Sequence, residues 1–283
     1  MISSKKYVDE TLKKYNLVAN KALGQNFLVE SEIASYIVDS ANIKENTLVI
    51  EIGPGMGALT EFALKKASKV VVYEIDNNMV TILKENFSND EKIVINNIDF
   101  LKVDNNEMIN SFKKEGYEDI VILSNLPYYI TSKLLNKILV NDIKIRSIVT
   151  MMQKEVGQKI IRPDKKDLNE LSIVLKHQYD VSVVKYVGKN SYLPRPEIDS
   201  IVLKFEKTQP RYDVEFDVLL KVTQCLFSAR RKTIYNNLKN LFESKEKIES
   251  CLNVCNISSN LRVEQLEIKQ IIDICNYYIG TKD

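Results

Sequence analysis

The segment Asn125-Leu126-Pro127-Tyr128 places an amide, a proline and an aromatic ring directly after an apolar run. An amino nitrogen conjugated to a ring is a poor nucleophile because its lone pair is delocalised, so it needs acceptors that draw its two hydrogens into a geometry that frees the lone pair. Asn125 Oδ1 and the Leu126 carbonyl would be those acceptors, and Pro127 lacks the N–H that would compete with them. Tyr128 offers a face on which a base can stack. The segment predicts methylation of a ring-bound amino group.

A glycine-rich segment, Gly53-Pro54-Gly55-Met56-Gly57, lies between an apolar run and a helical pattern. Glycines at such a junction let the backbone approach a ligand and expose the unpaired N–H groups of a helix start. Glu74 follows Gly53 by 21 residues, at the end of the next apolar run. A carboxylate at that place can accept hydrogen bonds from both hydroxyls of a ribose. Gly53, Gly55 and Glu74 therefore predict a nucleoside cofactor.

Two nucleoside cofactors are compatible with these residues. Gly53, Gly55 and Ala58 satisfy the looser dinucleotide pattern G-x-G-x-x-G/A, so the loop alone leaves NAD open. Asp99, which follows the third apolar run, favours S-adenosylmethionine because its carboxylate can accept a hydrogen bond from an adenine amino group. Phe100 can pack on the same ring.

These segments belong to a chain that alternates short β-branched runs with amphipathic stretches. Strands are predicted at residues 47–52, 69–75, 92–95, 120–123 and 145–151, and helices at residues 58–67, 77–87 and 131–139. Strands that alternate with helices of this length imply right-handed crossovers and a mostly parallel sheet covered on both faces. The predicted fold class is α/β, with a doubly wound, Rossmann-like sheet.

The pattern changes in the last part of the chain. After a helical stretch at residues 170–179, two strand-like runs at 181–187 and 198–205 follow with no helix between them, which predicts an antiparallel pair at the end of the sheet. Beyond Lys207 only helices are predicted, at residues 216–227, 233–242, 247–254 and 264–279. We therefore expect an α/β domain at residues 1–207 and a small all-helical domain at residues 208–283.

The composition is that of an ordinary globular protein, with 45% hydrophobic and 28% charged residues. No apolar run approaches the roughly 20 residues that span a bilayer, and the first 16 residues are charged, unlike a secretion signal. The four cysteines form no C-x-x-C pair and the single histidine lies far from them in sequence, which argues against a metal site. We expect a cytoplasmic protein with buried free thiols, no membrane contact and no metal.

A basic cluster at Arg230, Arg231 and Lys232 lies in a stretch, residues 228–240, that contains no acidic residue. The net charge of +2 indicates no partner by itself. Arginine is scarce, with seven residues against 33 lysines, so an adjacent pair stands out from the composition. The cluster predicts contacts with nucleic-acid phosphates, with a solvated helix face as the alternative.

Taken in order, these motifs resemble the small-subunit ribosomal RNA adenine dimethyltransferase family. The resemblance runs from about Lys21 to Leu238 and rests on Gly24-Gln25-Asn26-Phe27-Leu28, the Gly53 loop, Glu74, Asp99, Asn125 to Tyr128, residues 192–200 and Arg230-Arg231-Lys232-Thr233. The erythromycin-resistance methyltransferases, which act on large-subunit RNA, are similar in the glycine motifs. They more often carry Ile where Leu126 stands, and they lack the Arg-Arg-Lys-Thr stretch.

The resemblance implies a Rossmann-like methyltransferase sheet with a helical RNA-binding domain and S-adenosylmethionine as the donor. The implied acceptors are two adjacent adenines of a small-subunit rRNA hairpin within a pre-ribosomal particle, each dimethylated on N6 by a monomeric enzyme. Asn26 and Leu28, from an N-terminal segment that also contacts RNA, would line the cofactor pocket, where Gly53 would approach the methionine moiety. Asn125 would face both the methyl donor and the target amine. Tyr192 would stack on the target adenine opposite Tyr128.

One segment departs from the family, and two alternative functions stay open. Residues 162–172 lack the Gly and Tyr that the family usually shows before Leu-Ser, so RNA contacts are not carried over to this loop. An enzyme of the same kind that acts on large-subunit RNA or on DNA adenine is one alternative. A non-enzymatic ribosome assembly factor that keeps the fold is the other, and the presence of Glu74, Asp99 and Asn125 disfavours it.

Overall fold

The structure, a computed structural model, describes residues 1–20, 23–127, 130–139, 145–162 and 168–281. The backbone contacts divide the chain into two compact units. The first unit comprises Met1–Gln158 and Asp180–Lys207, and the second comprises Lys159–Tyr179 and Thr208–Asp283.

The first unit is built on a seven-stranded sheet and a separate two-stranded pair. In the described part of the chain the strands are β1 Phe27–Leu28, β2 Leu48–Ile52, β3 Lys69–Glu74, β4 Ile93–Asn97, β5 Ile120–Asn125, β6 Ser147–Gln153, β7 Tyr179–Val187, β8 Tyr192–Leu193 and β9 Ser200–Lys207. The large sheet has the order β4-β3-β2-β5-β6-β9-β7, and β1 pairs with β8. The predicted α/β fold is confirmed.

The register shows a parallel sheet that ends in antiparallel strands. Ile50 of β2 lies opposite Val71 of β3 on one side and Ile122 of β5 on the other, in parallel pairs. β9 runs antiparallel to β6, and β7 lies beyond β9 at the edge. Strand order reverses on the two sides of β2, and open α/β sheets bind ligands at the carboxyl ends of strands at such a point.

Helices cover both faces of this sheet, as parallel crossovers require. The helices of this part of the chain are α1 Lys5–Lys14, α2 Ser31–Ser40, α3 Thr60–Ala63, α4 Asn77–Asn86, α5 Asn105–Lys114, α6 Thr131–Leu139 and α7 Lys154–Ile161, which crosses into the second unit. The helix predicted at residues 58–67 is much shorter as α3. The glycine loop continues as turns up to Leu59, and another turn begins after Ala63.

The core of the first unit forms between the sheet and these helices. β2 is buried along its whole length, as expected for a central parallel strand with helices on both faces. Val49, Val70 and Val121 from three neighbouring strands belong to one buried cluster, together with Ile37 from α2. Burying side chains of this size stabilises the folded state by roughly 1.5–3 kcal/mol each. The polar residues at the strand ends are therefore attached to a well-packed core.

The second unit is helical. It contains α8 Glu170–Gln178, α9 Phe216–Phe227, α10 Ile234–Leu238, α11 Lys245–Val254 and α12 Ile268–Gly280. Ile173 of α8 is fully buried in one cluster with Leu219 and Ile271. Residues 159–179 therefore group with this unit, whereas the sequence-based division placed them in residues 1–207.

Cys251, Cys255 and Cys275 are buried free thiols, and Cys225 is half-buried. Residues 163–167 of the segment that departs from the family lie outside the described residues.

Two classes of feature are absent from the described residues. None of their helices is long and apolar enough to cross a membrane. Among the same residues, no group of three or more His, Cys, Asp or Glu side chains is placed to hold a metal ion.

Candidate active site

A cavity of about 250 Å³ lies at the carboxyl ends of β2, β3 and β5. Its walls are the loops that follow these strands, the turn after β4 and an N-terminal segment. It is lined by most of the residues predicted from sequence for the cofactor and the acceptor: Asn26, Leu28, Gly53, Gly55, Glu74, Asp99, Phe100, Asn125, Leu126 and Pro127. Residues from five separate regions of the chain thus meet at one place.

The glycine loop adopts a backbone that side chains would obstruct. Gly53 has a φ of +67°, and a Cβ built on it meets nothing within 4 Å, so its open side borders the cavity. Gly57 has a φ of +98°, and a Cβ there would lie 2.6 Å from the Phe87 ring. One glycine leaves space for a ligand, and the other lets the residue after α4 pack against the loop. The loop therefore presents bare backbone to the cavity.

Glu74 ends β3 with its carboxylate against the glycine loop. The residue is only 7% exposed. Its Oε2 accepts a hydrogen bond from Gly55 N (3.1 Å), and its Oε1 accepts one from Asp76 N (2.9 Å). Burial raises the pKa of Glu74, while the backbone N–H groups of Asp76 and Gly55 act in the opposite direction. The backbone N–H of Ile75 acts on the pKa in the same direction as those of Asp76 and Gly55. A carboxylate that lines the cavity at this place can accept hydrogen bonds from ribose hydroxyls.

A second carboxyl group, which the sequence-based prediction missed, lies beside the first. Glu51 of β2 lines the cavity but is 1% exposed, and Thr60 Oγ1 donates a 2.6 Å hydrogen bond to its Oε2. Burial raises the pKa of Glu51 to about 8, against the effect of the Thr60 hydrogen bond, and the charge of Glu74 adds to the increase. Glu51 is therefore protonated near neutral pH. An acidic residue within the apolar strand Leu48–Ile52 was the available signal.

The turn after β4 supplies another wall of the cavity. Asp99 lines it, and its Oδ1 accepts a 2.9 Å hydrogen bond from Leu101 N at the start of the 3₁₀ helix Phe100–Lys102. Phe100 is buried, and its ring packs edge-on against Tyr73 with centroids 5.2 Å apart. Asp99 Oδ2 makes no hydrogen bond among the described residues, so it can accept one from a ligand amino group.

The acceptor segment begins where β5 ends. Asn125 is half-buried and donates from Nδ2 to the Asn26 carbonyl (3.4 Å). Leu126 N donates to Met151 O of β6 (3.0 Å), which fixes the segment to the neighbouring strand. Asn125 lines the cavity, and its Oδ1 makes no hydrogen bond among the described residues. Tyr128, predicted to stack on the acceptor base, lies outside the described residues.

Tyr192, predicted to stack on the acceptor base, is a buried residue in the structure. It is 4% exposed, packs in the core cluster of the first unit and donates from its hydroxyl to Met151 Sδ (2.8 Å). It is not among the described residues that line the cavity. The pairing of β1 with β8 places Tyr192 opposite Leu28, which does line the cavity. The role of Tyr192 in stacking on the acceptor base stays a prediction.

The basic cluster lies in the turn between α9 and α10 of the second unit. Arg230 Nη2 donates to Leu168 O (3.2 Å) and lies 3.9 Å from Glu264 Oε2. Arg231 and Lys232 are exposed. All three residues are therefore exposed, and Arg230 also contacts its own unit.

Apolar residues that the sequence-based prediction missed complete the cavity. Ile75 lines it directly after Glu74 and is 51% exposed, which is unusual for a large apolar side chain. Ile2 and Val8 line it from the N-terminal segment. Their part in the site depends on long-range contacts, since Ile2 N donates to Glu61 Oε2 (2.8 Å). No local pattern in the sequence would have identified them.

The parallel sheet, the glycine loop and the acidic strand ends define a Rossmann-like methyltransferase. The family model for ribosomal RNA adenine dimethylase matches residues 16–280. The chain belongs to this ribosomal RNA adenine dimethylase family. The expected family, the enzyme class and S-adenosylmethionine as the methyl donor are thereby confirmed.

Curated relatives are similar over almost the whole chain. The ribosomal RNA small subunit methyltransferase A of Streptococcus gordonii is 38% identical, covering 91% of this chain and 91% of its own length. The protein of the same name from Bacillus cereus is 36% identical and covers 94% of each chain. The one from Clostridium botulinum is 34% identical, covering 92% of this chain and 94% of its own.

Solved structures show the same fold. A dimethyladenosine transferase from Plasmodium falciparum superimposes with a TM-score of 0.70 at 23% identity, covering 90% of this chain and 98% of the other. The 23S rRNA methyltransferase ErmE superimposes with a TM-score of 0.61 at 20% identity, covering 90% of this chain and all of the other. The described chain therefore shares its fold with both of these proteins.

Proposed function

We propose that this enzyme dimethylates N6 of two adjacent adenines in a hairpin of small-subunit rRNA, as a step in ribosome maturation. The observation that carries the proposal is that Asn125, Leu126 and Pro127 line the same cavity as Gly53 and Glu74. The relatives at 34–38% identity are named as small subunit methyltransferases, and they span the chain almost from end to end. Their names favour this substrate over large-subunit RNA or DNA.

The residues present fit the proposed cofactor site. Gly53 leaves open space beside the cavity, and Glu74 offers its carboxylate to the ribose. Asp99 would accept a hydrogen bond from the adenine amino group, with Phe100, Asn26 and Leu28 in the surrounding wall. S-adenosylmethionine supplies an electrophilic methyl group when it is bound.

The residues of the acceptor segment would prepare the target amine for methylation. Asn125 Oδ1 and the Leu126 carbonyl would accept the two N6 hydrogens and free the nitrogen lone pair. Pro127 presents no N–H that would compete. Tyr128 would hold one face of the extruded adenine. After methylation the nitrogen is cationic and acidic, so its proton leaves to solvent or by way of Asn125 and no strong base is needed.

The second unit would contribute contacts with RNA phosphates. Arg231 and Lys232 are exposed in an acid-free turn, and Arg230 anchors that turn through Leu168 O. Phosphate contacts position an RNA, whereas its shape and extruded bases give selectivity. We place the substrate within a pre-ribosomal small subunit.

The proposed setting is a cytoplasmic monomer. Buried free cysteines suit a reducing compartment. Light scattering after size exclusion should give the mass of one chain, and a dimer mass would contradict this part of the proposal.

The test is methyl transfer from labelled S-adenosylmethionine to separated substrates. Small subunits from cells that lack this gene should accept label on two adjacent adenines, as mapped by mass spectrometry. Small subunits from cells that carry the gene, large subunits and naked DNA are the controls and should accept little. Label on large subunits or DNA alone would favour the alternative acceptors. Absence of label on every substrate would contradict the proposed acceptor.

A further inference from the structure

The segment of residues 23–28 forms one wall of the cavity and is held to the first unit at separate points. Asn26 O accepts the hydrogen bond from Asn125 Nδ2, and Phe27 and Leu28 pair with β8. The end of the segment nearest Glu74 is held differently, through the side chain of Gln25, which also lines the cavity. None of the roles assigned so far uses this side chain.

Both ends of the Gln25 carboxamide are engaged. Its Oε1 accepts a 2.8 Å hydrogen bond from Asn20 N, and its Nε2 donates a 2.7 Å hydrogen bond to Asp76 Oδ2. Only one orientation of the amide satisfies both partners, since one is an N–H donor and the other a carboxylate acceptor. The bond to Asp76 has a charged acceptor and is therefore stronger than an ordinary amide hydrogen bond.

Asp76 connects the Gln25 side chain to Glu74 through hydrogen bonds. Its Oδ1 accepts from Asn78 N (2.8 Å) as the N-cap of α4, and its backbone N donates to Glu74 Oε1 (2.9 Å). The Asp76 carboxylate is thus fixed on one side by a helix and holds Gln25 on the other. The N-terminal wall of the cavity and the Glu74 carboxylate are connected through a single residue.

We propose that Gln25 is a positioning residue for cofactor binding, which fastens residues 23–28 to Asp76 beside the carboxylate that receives the ribose. The inference rests on the cofactor role proposed for Glu74. Gln25 itself is half-buried and hydrogen-bonded at both ends of its carboxamide, so its bridge acts on the geometry of the cavity wall. Loss of the bridge raises the entropic cost of ordering that wall when the cofactor binds.

The first measurement is calorimetric titration of the full chain with S-adenosylmethionine. Gln25→Ala should weaken binding by roughly 10-fold or more, the fold-change that corresponds to one hydrogen bond to a charged group. The KM for S-adenosylmethionine should rise similarly, while kcat at saturating cofactor stays within about twofold of wild type, because the acceptor groups are untouched. Affinity for RNA should not change.

Exchanging the amide and the carboxylate between positions 25 and 76 distinguishes a positioning role of Gln25 from a general packing effect. Gln25→Glu alone places two carboxylates together and should weaken binding further. Asp76→Asn alone keeps the cap on α4 but turns an N–H toward the Gln25 N–H. The double variant Gln25→Glu/Asp76→Asn restores the bridge in the opposite direction, because the new carboxylate can accept hydrogen bonds both from Asn20 N and from the new side-chain amide across from it. Its affinity should return to within about threefold of wild type.

The outcomes distinguish this inference from the proposed function. Wild-type affinity in Gln25→Ala, or a double variant no better than Gln25→Glu, overturns the role of Gln25. If a single variant unfolds, comparison of the double variant with wild type still decides the matter. Glu74→Ala, run in parallel, tests the ribose assignment by itself, since unchanged affinity there would refute that assignment whatever Gln25 does. Methylation of small subunits by wild type tests the function separately.

Discussion

Replacing Glu51 with glutamine should make the protein more stable, and the gain should grow with pH. Glu51 is 1% exposed, and burial raises its pKa to about 8 from a usual value of 4.5. The folded state therefore favours the protonated carboxyl, and ionisation destabilises it. The stability contributed by the protonated group is complete below pH 4.5 and is lost as the pH rises through 8.

The magnitude follows from the pKa difference. A shift of one pKa unit corresponds to about 1.4 kcal/mol, so the loss between pH 4.5 and 8 is on the order of 5 kcal/mol. Glutamine has the same shape, never ionises, and its Oε1 can still accept the hydrogen bond from Thr60 Oγ1. The difference in unfolding free energy between Glu51→Gln and wild type should therefore rise by about 1.4 kcal/mol per pH unit across this window.

Urea unfolding of both proteins at pH 5, 6.5, 8 and 9 measures this difference directly. The other ionisable groups are common to the two chains and cancel in the subtraction, except for Glu74, whose charge acts on Glu51. Glu45→Gln, which changes an exposed carboxylate, serves as the matched control and should show no such trend. A difference that stays constant from pH 5 to pH 8 would refute the buried, protonated state of Glu51.

Three further predictions concern the site and the basic cluster. Asn125→Ala should slow single-turnover methylation by roughly 100-fold, the cost of removing one preorganised transition-state partner, and should leave RNA binding nearly unchanged; a wild-type rate would refute the acceptor role. Glu74→Ala should weaken S-adenosylmethionine binding in calorimetry through lost hydrogen bonds worth roughly 1.5–3 kcal/mol each, and NAD should not bind wild type, whereas NAD binding would contradict the cofactor assignment. Replacing Arg231 and Lys232 with glutamine should weaken RNA binding regardless of sequence and reduce its log–log salt slope by roughly 0.7–0.9 per lost phosphate contact; an unchanged slope would mean that the turn is merely solvated.

The features that could be predicted from sequence are those coded by neighbouring residues. Apolar runs fixed the central strands to within one or two residues, because a buried parallel strand requires apolar side chains on both faces. The position of Glu74 at the end of its strand brings it to the cavity, since the carboxyl ends of parallel strands lie at one edge of the sheet. The same logic located Asp99 and Asn125.

The features that escaped prediction depend on distant parts of the chain. Tyr192 is buried because β8 pairs with β1, a contact between segments more than 150 residues apart that no local pattern encodes. The contact of exposed Arg230 with Leu168 O likewise joins residues 62 positions apart. Val8 lines the cavity because Tyr7 donates to Asn86, which in turn donates to Met56 O in the glycine loop. Pairings of this kind are tertiary, and periodicity does not reveal them.

The path of the chain between its two units determines how the molecule can be built and divided. The chain leaves the first unit after Gln158, returns at Asp180 to form the far edge of the sheet, and leaves again after Lys207. About 50 residues separate β6 from its neighbour β9, so this part of the chain must be synthesised before the two strands can pair. Closing so long a loop slows folding. A cut after residue 207 would not release the helical unit cleanly, because the remaining fragment would keep Ile173 without the apolar partners that bury it. The two units have separate cores, but their segments alternate along one chain and are synthesised in turn.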